Sequence, residues 1–253
     1  MNKKRRDMTH HATRNLAATV VVALMLAASA RAQDSETVLY TFPGGTHGAV
    51  GGTQFVSDPA GNFYGTTISG GNNSTSCEIA TGVPGCGVVF KLTPGAHGSW
   101  KETVLHTFTG GKDGAMPIGG VTLDSAGNLY GTTEYGGDKE SNNCHAAGFV
   151  PGCGVVFKLT PTARGPWDET VLYTFTGGSD GSLPFAGVIR DSKGNLYGTA
   201  IFYGAVCCGV VFKLIPTDKG PWTESVLYAF TGGTDGNAPY GGLTFDSGGI
   251  FTV

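Results

Sequence analysis

Four near-copies of one segment constrain this chain more than any other feature. ETVLYTFPGGTHG begins at Glu36, ETVLHTFTGGKDG at Glu102, ETVLYTFTGGSDG at Glu169 and ESVLYAFTGGTDG at Glu224. The starts lie 66, 67 and 55 residues apart. A second block follows each: GGTQFVSDPAGNFYGTT from Gly51, GGVTLDSAGNLYGTT from Gly119, AGVIRDSKGNLYGTA from Ala186 and GGLTFDSGGIFTV from Gly241. A third block, CGVVFKL, begins at Cys86, Cys153 and Cys208. Periods of this size mark a modular array whose units bury their apolar faces against one another.

Each unit reads as four short strands. In the second repeat these are Val121–Leu123, Asn128–Tyr130, Val155–Leu159 and Thr170–Phe175, all rich in β-branched and aromatic residues and bounded by turn formers. Asp124-Ser125-Ala126-Gly127-Asn128 is a tight turn: Asp caps its own backbone and Gly127 supplies a positive φ. The same turn returns at Asp58, Asp191 and Asp246. Apolar residues stand side by side in Val155-Val156-Phe157 and Val171-Leu172-Tyr173, so these strands have protein on both faces. A β-sandwich leaves most strands one wet face, and a β-helix has a shorter period. The expected fold class is therefore all-β, a propeller of four-stranded blades. Composition agrees. The 43 glycines among 253 residues disfavour helices and have no collagen period, and the abundant Phe, Tyr, Val and Leu disfavour disorder.

Blades crowd at a propeller axis, so the short Gly119-Gly120-Val121 segment belongs innermost and the TVLYTF segment outermost. Complete blades then span about 51–108, 117–175 and 184–230, with an outer strand at 36–42 and an inner pair at 241–253 left over. These leftovers fit either a truncated member of a longer array or a four-bladed ring closed with one strand missing.

Residues 1–32 read as a secretory signal peptide: a basic start (Lys3, Lys4, Arg5, Arg6), the apolar run Leu16–Ala28, and the small-x-small sequence Ala30-Arg31-Ala32. A membrane anchor is the alternative reading, but the run falls short of the ~20 residues that span a bilayer. The expected mature chain has no transmembrane segment and is secreted, surface-bound or periplasmic. The leader carries six of the 16 Lys and Arg residues and one of the 19 acidic residues, leaving ten against eighteen, a net charge of −8. That balance excludes a nucleic-acid partner, which needs a basic stripe.

An oxidising compartment makes the cysteines a disulfide framework. Cys77 and Cys86 are nine residues apart, as are Cys144 and Cys153, and each pair is expected to close a loop. The third repeat has a shorter loop with Cys207 and Cys208 adjacent, where a vicinal disulfide is expected. No histidine recurs with the cysteines, so no metal site and no cofactor are expected.

Candidate ligand contacts are Asp113, Asp180 and Asp235 in the GGxDG loops, with His47 in the first copy, and Trp100, Trp167 and Trp222 in WxE[TS]VL on the opposite side. Carboxylates at a channel mouth can bind a cation or sugar hydroxyls, and aromatics can stack on sugars. Each also has a structural reading, as a turn former or as packing. Glu102, Glu169 and Glu224 recur beside the tryptophans and serve the repeat rather than a single site. Glu134, Tyr135, Asp138, Glu140 and His145 break the repeat pattern, but their context reads as an exposed loop ill suited to catalysis. No nucleophile elbow, phosphate loop or zinc triad is present, and no catalytic residue is assigned.

GNLYGTT, GVVFKLTP and TVLYTFTGGxDGxxP together resemble the Gloeo-Verruco (GloVer) tandem-repeat proteins of exported bacterial chains, over nearly all of residues 36–253. The blade pattern is more distantly similar to NHL-type and streptogramin-lyase-like propellers. The GloVer resemblance implies export and repeat architecture and no catalytic residues. The expected function is an exported, non-enzymatic domain for binding or display, its partner a glycan or a protein. A propeller enzyme of lyase or glycoside-active type is the alternative.

Overall fold

The computed structural model describes residues 36–72, 77, 82–138, 144, 150–163, 166–202, 208–218, 221–246 and, for the backbone alone, 251–252. The expected signal peptide lies outside the described residues. The chain divides into two compact units, Met1–Val38 and Leu39–Val253. Of the first, only 36–38 is described, as an exposed segment without regular structure. The second unit carries every sheet.

The described residues form strands and short 3-10 turns, with no α-helix among them. The first sheet contains β1 (Ala49–Gly51), β2 (Val56–Ser57), β3 (Phe63–Ser69), β4 (Val88–Pro94) and β5 (Trp100–Thr107). Its order is β1-β3-β4-β5, and β2 also pairs with β3. β1 and β2 are two halves of one inner strand. The second sheet is β6 (Val121–Leu123), β7 (Leu129–Thr133), β8 (Val155–Thr160) and β9 (Asp168–Thr174), in that order. The third is β10 (Ile189–Arg190), β11 (Leu196–Ala200), β12 (Val210–Ile215) and β13 (Thr223–Ala229). β14 (Thr244–Phe245) and β15 (Phe251–Thr252) form a last pair. All pairings are antiparallel and, with β1 and β2 counted as one strand, join sequence neighbours, the topology of propeller blades; the described sheets do not form a closed ring. Leu39–Phe42 is not a strand. Its siblings each pair with the VVFKL strand of their own repeat, whereas Tyr40 and Phe42 pack on the Val88, Phe90 and Leu92 cluster of the first sheet.

The adjacent apolar residues find a specific cause. The β4–β5, β8–β9 and β12–β13 ladders all shift register before the phenylalanine of VVF, opposite the extra residues Leu105, Leu172 and Leu227. A β-bulge thus breaks the two-residue alternation, and in the first two sheets it turns a leucine inward, whereas Leu227 in the third stays 44% exposed. Leu105 and Leu172 are 6% and 5% exposed. Val88, Val89 and Phe90 are fully buried, as are Val155, Val156 and Phe157, so both faces of the third strand are covered.

Successive sheets stack on one another through repeated contacts. The phenylalanine that ends each TVLYTF segment meets the VVF phenylalanine of the next sheet: Phe42 on Phe90 at 4.7 Å, Phe108 on Phe157 at 5.2 Å and Phe175 on Phe212 at 5.2 Å, all edge-to-face. At the inner end, Thr132 Oγ1 donates to the Ala186 carbonyl at 2.8 Å and Thr199 Oγ1 to the Gly241 carbonyl at 3.0 Å. A Cβ on Gly119 would collide with the backbone of Ala186 and Gly187, so the inner strands meet where only glycine fits.

One further junction recurs. Val50, Met116, Leu183 and Ala238 stand at equivalent places with φ of 56°, 59°, 54° and 48°. Left-handed backbone costs a non-glycine residue roughly 1–2 kcal/mol. The last three each donate their N–H to the carbonyl of the preceding repeat's cysteine: Met116 to Cys86 and Leu183 to Cys153 at 2.9 Å, Ala238 to Cys208 at 3.0 Å. The cysteine loops therefore dock on the next sheet and hold this strain in place.

Candidate functional site

The three GGxDG loops arise where an outer strand turns back to the next inner strand, and GGTHG (44–48) is their counterpart in the first copy. Asp180 accepts hydrogen bonds from Thr176 N (2.8 Å), Thr176 Oγ1 (2.7 Å), Gly178 N (3.1 Å) and Tyr173 Oη (3.0 Å). Asp113 is held by Thr109 N, Thr109 Oγ1 and Gly111 N. Asp235 is held by Thr231 N, Thr231 Oγ1 and Tyr228 Oη. Both oxygens of every copy close their own loop. Hydrogen bonds from Thr231 lead the causes that hold the Asp235 carboxyl down at about 2. In the first copy His47 replaces the aspartate and bonds Glu102 at 2.6 Å.

The tryptophans are half-buried packing elements. Trp100 lies 5.4 Å from Phe63, and Trp167 lies 6.3 Å from Tyr64 of the preceding repeat. Trp222 packs on the cluster that holds Tyr130. Trp100 opens β5 and Asp113 follows its end, so a strand of eight residues, about 26 Å long, separates the two sets. They cannot line one small-ligand site.

Cys77–Cys86 and Cys144–Cys153 are disulfides with Cα atoms 5.2 Å apart in both. Cys77, Cys86 and Cys153 are fully buried and Cys144 is 6% exposed, each inside an inter-sheet apolar cluster. A Cβ on Gly110 (φ 73°) would stand 2.9 Å from Cys86 Sγ and 3.1 Å from Cys77 Sγ, so a GGxDG loop lies directly over the first disulfide. Cys208 is disulfide-bonded. Cys207, its expected partner, lies outside the described residues.

The loops brought together on this rim enclose a cleft of about 840 Å³ lined by Gly111, Lys112, Gly137, Asp138, Val171, Thr174 and Thr176. The Gly137 N–H donates to the Gly111 carbonyl at 2.8 Å and ties the two loops that form its wall. Asp113 and Asp180 support this wall from behind rather than lining it. Lys112, Thr174 and Thr176 were not singled out from sequence. They vary or read as plain strand and turn residues, and their convergence is a property of loop packing.

Glu134 and Tyr135 differ from their sequence reading: they are 8% and 6% exposed. Backbone bonds draw them inward, Glu134 N to the Met116 carbonyl and Tyr135 N to the Ala115 carbonyl, both at 3.1 Å. Burial pushes the Glu134 carboxyl up to about 6, with the Tyr135 hydroxyl acting in the opposite sense. Ile68 and Ile201 stand at the sibling positions, so Glu134 is a carboxyl in an isoleucine's place. Asp138 is exposed, and Glu140 and His145 lie outside the described residues. Among the described residues no group of His, Cys, Asp and Glu could hold a metal ion, and no helix is long and apolar enough to cross a membrane.

Repeated sheets, repeated loop closures and a family model agree. The Gloeobacter/Verrucomicrobia repeat family matches residues 76–253. The chain belongs to that family. No curated protein matches it. As a member of this repeat family, the chain places its repeated blocks at structural joints: GNLYGTT in β7 and its siblings, CGVVFKL at the disulfide and third strand, and TFTGGxDG at the outer phenylalanine and aspartate loop.

Proposed function

We propose that this repeat domain is an exported, non-enzymatic binding module whose rim cleft takes a hydroxyl-rich glycan. The observation that carries the reading is the cleft itself. Its volume of about 840 Å³ suits a ligand site, and it sets Lys112, Asp138, Thr174 and Thr176 around the apolar Val171 and a glycine floor. Two neighbouring features preorganise the wall, a buried disulfide and an aspartate-closed loop, so little loop ordering accompanies binding. Buried disulfides accord with an exported chain.

The test is a glycan array followed by calorimetry with wild type, Lys112→Ala and Thr174→Val. Binding weakened about tenfold or more by either change, with melting temperature held, supports the cleft; roughly 1.4 kcal/mol corresponds to tenfold. Glycan binding that both variants retain removes the cleft, and capture of peptides alone makes the ligand a protein. Trp100→Ala, Trp167→Ala and Trp222→Ala are expected to lower stability and leave affinity unchanged.

The enzymatic reading has one observation in its favour, the buried Glu134 carboxyl beside Tyr135. Polysaccharide turnover that Glu134→Ile abolishes would establish it. Isoleucine is the siblings' own residue at that place, so this variant keeps the fold.

A further inference from the structure

Glu102, Glu169 and Glu224 stand at equivalent places on β5, β9 and β13, each facing the polar groups that end the preceding repeat's TVLYTF segment. Oε1 of all three is buried without a hydrogen-bond partner among the described residues. The three junctions meet this demand differently. At the first, the Glu102 side chain is 2% exposed, and its Oε2 receives His47 Nδ1 at 2.6 Å and Tyr40 Oη at 3.0 Å. At the second, His106 replaces the tyrosine, 3.6 Å from Asp113, and burial pushes the Glu169 carboxyl up, with His106 opposing and Asp113 adding to it. At the third no histidine is present. Glu224 faces Asp180 and Tyr173 of the preceding repeat, and its ladder neighbour on β12 is the apolar Leu214. Lys213 pairs with Ser225 and reaches over the Tyr197 ring at 5.5 Å.

Four donors already fill Asp180, two on each oxygen, so none is left to spare for a neighbouring carboxylate. A second ionised carboxylate beside it, with a buried oxygen that no donor reaches, is electrostatically unfavourable. We propose that the junction between the second and third sheets is a pH-responsive latch, shut while the Glu224 carboxyl keeps its proton and loosened when that proton leaves to solvent beside Asp180. Burial, with Asp180 adding to it, pushes Glu224 up to about 7, against ~4.3 in an unfolded chain. Folded chain holds the proton across that interval and unfolded chain does not. The latch is therefore complete below about pH 4 and is lost as pH rises through about 7. At the first junction His47 and Tyr40 supply the Glu102 carboxyl with the donors that Glu224 lacks.

Hydrogen exchange read by mass spectrometry on the full chain at about pH 5 and about pH 8, corrected for intrinsic exchange chemistry, tests this. Protection of β13 and of the Asp180 loop is expected to fall about tenfold in wild type at the higher pH. Glu224→Gln, which mimics the neutral acid, is expected to keep the acid-side protection at both. Wild-type protection independent of pH would overturn the latch, as would a Glu224→Gln chain that loosens like wild type. Recovery of wild-type protection at about pH 8 on adding millimolar Ca²⁺ would also overturn it, making the carboxyl pair a cation site.

Discussion

A single aspartate sets each inner hairpin. Asp124 Oδ1 accepts from Ala126 N at 2.9 Å and Asn128 N at 2.8 Å, while Oδ2 accepts from Asn128 Nδ2 at 2.9 Å and Tyr130 Oη at 3.0 Å. Asp58 and Asp191 repeat the same four bonds. Hydrogen bonds outweigh burial and hold the Asp124 carboxyl below its usual range. The sign is opposite to that of Glu224: this stabilisation is present above about pH 4 and is lost as pH falls through the lowered value. Asp124→Ala is expected to cost about 1–3 kcal/mol, because several donors lose their acceptor at once. Urea unfolding at neutral pH measures it, and a loss under about 0.5 kcal/mol would show that the glycine turn alone holds the hairpin.

At the scale of elements, the long connection from the second to the third strand becomes a clasp between sheets. Its cysteine is closed covalently, and the carbonyl of that cysteine fixes the left-handed residue of the next repeat. Cys144→Ser with Cys153→Ser removes a nine-residue closure whose chain-entropy value is about 2–3 kcal/mol. The double variant should unfold at correspondingly lower urea than wild type, and Leu183–Phe185 should lose exchange protection first. An unchanged midpoint would mean that the loop docks through hydrogen bonds and apolar contacts alone.

Across the whole molecule, stability is carried by interfaces between near-identical sheets. In such an array it approximates a sum of unit and nearest-neighbour contributions. Phe175→Ala empties a fully buried place between the second and third sheets and is expected to cost about 3–5 kcal/mol. Its signature is spatial. Exchange protection should fall in β9 and β12 and hold in β3 and β4, whereas a uniform loss would reveal one cooperative core instead of coupled units.

Most strands, their order and the two described disulfides could be read directly from the chain, because they depend on local pattern and repetition, although the expected outer strand at 36–42 does not form. The VVFKL blocks announced two-sided burial, the DSAGN blocks their turns, and the two equally spaced cysteine pairs their bridges. Contacts between repeats could not be read this way. Nothing local to Glu224 reveals that Asp180, 44 residues earlier, lies beside it, or that His47 and His106 change the same junction elsewhere. The inward turn of Glu134, the bulge at Leu172 and the convergence of Lys112 with Thr174 likewise arise only when sheets stack. Sequence determined the unit, since hydrogen-bonded strands and turns act over a few residues. Tertiary structure decided the electrostatics and the cleft, since charge and solvent exclusion act through space between units that the chain keeps far apart.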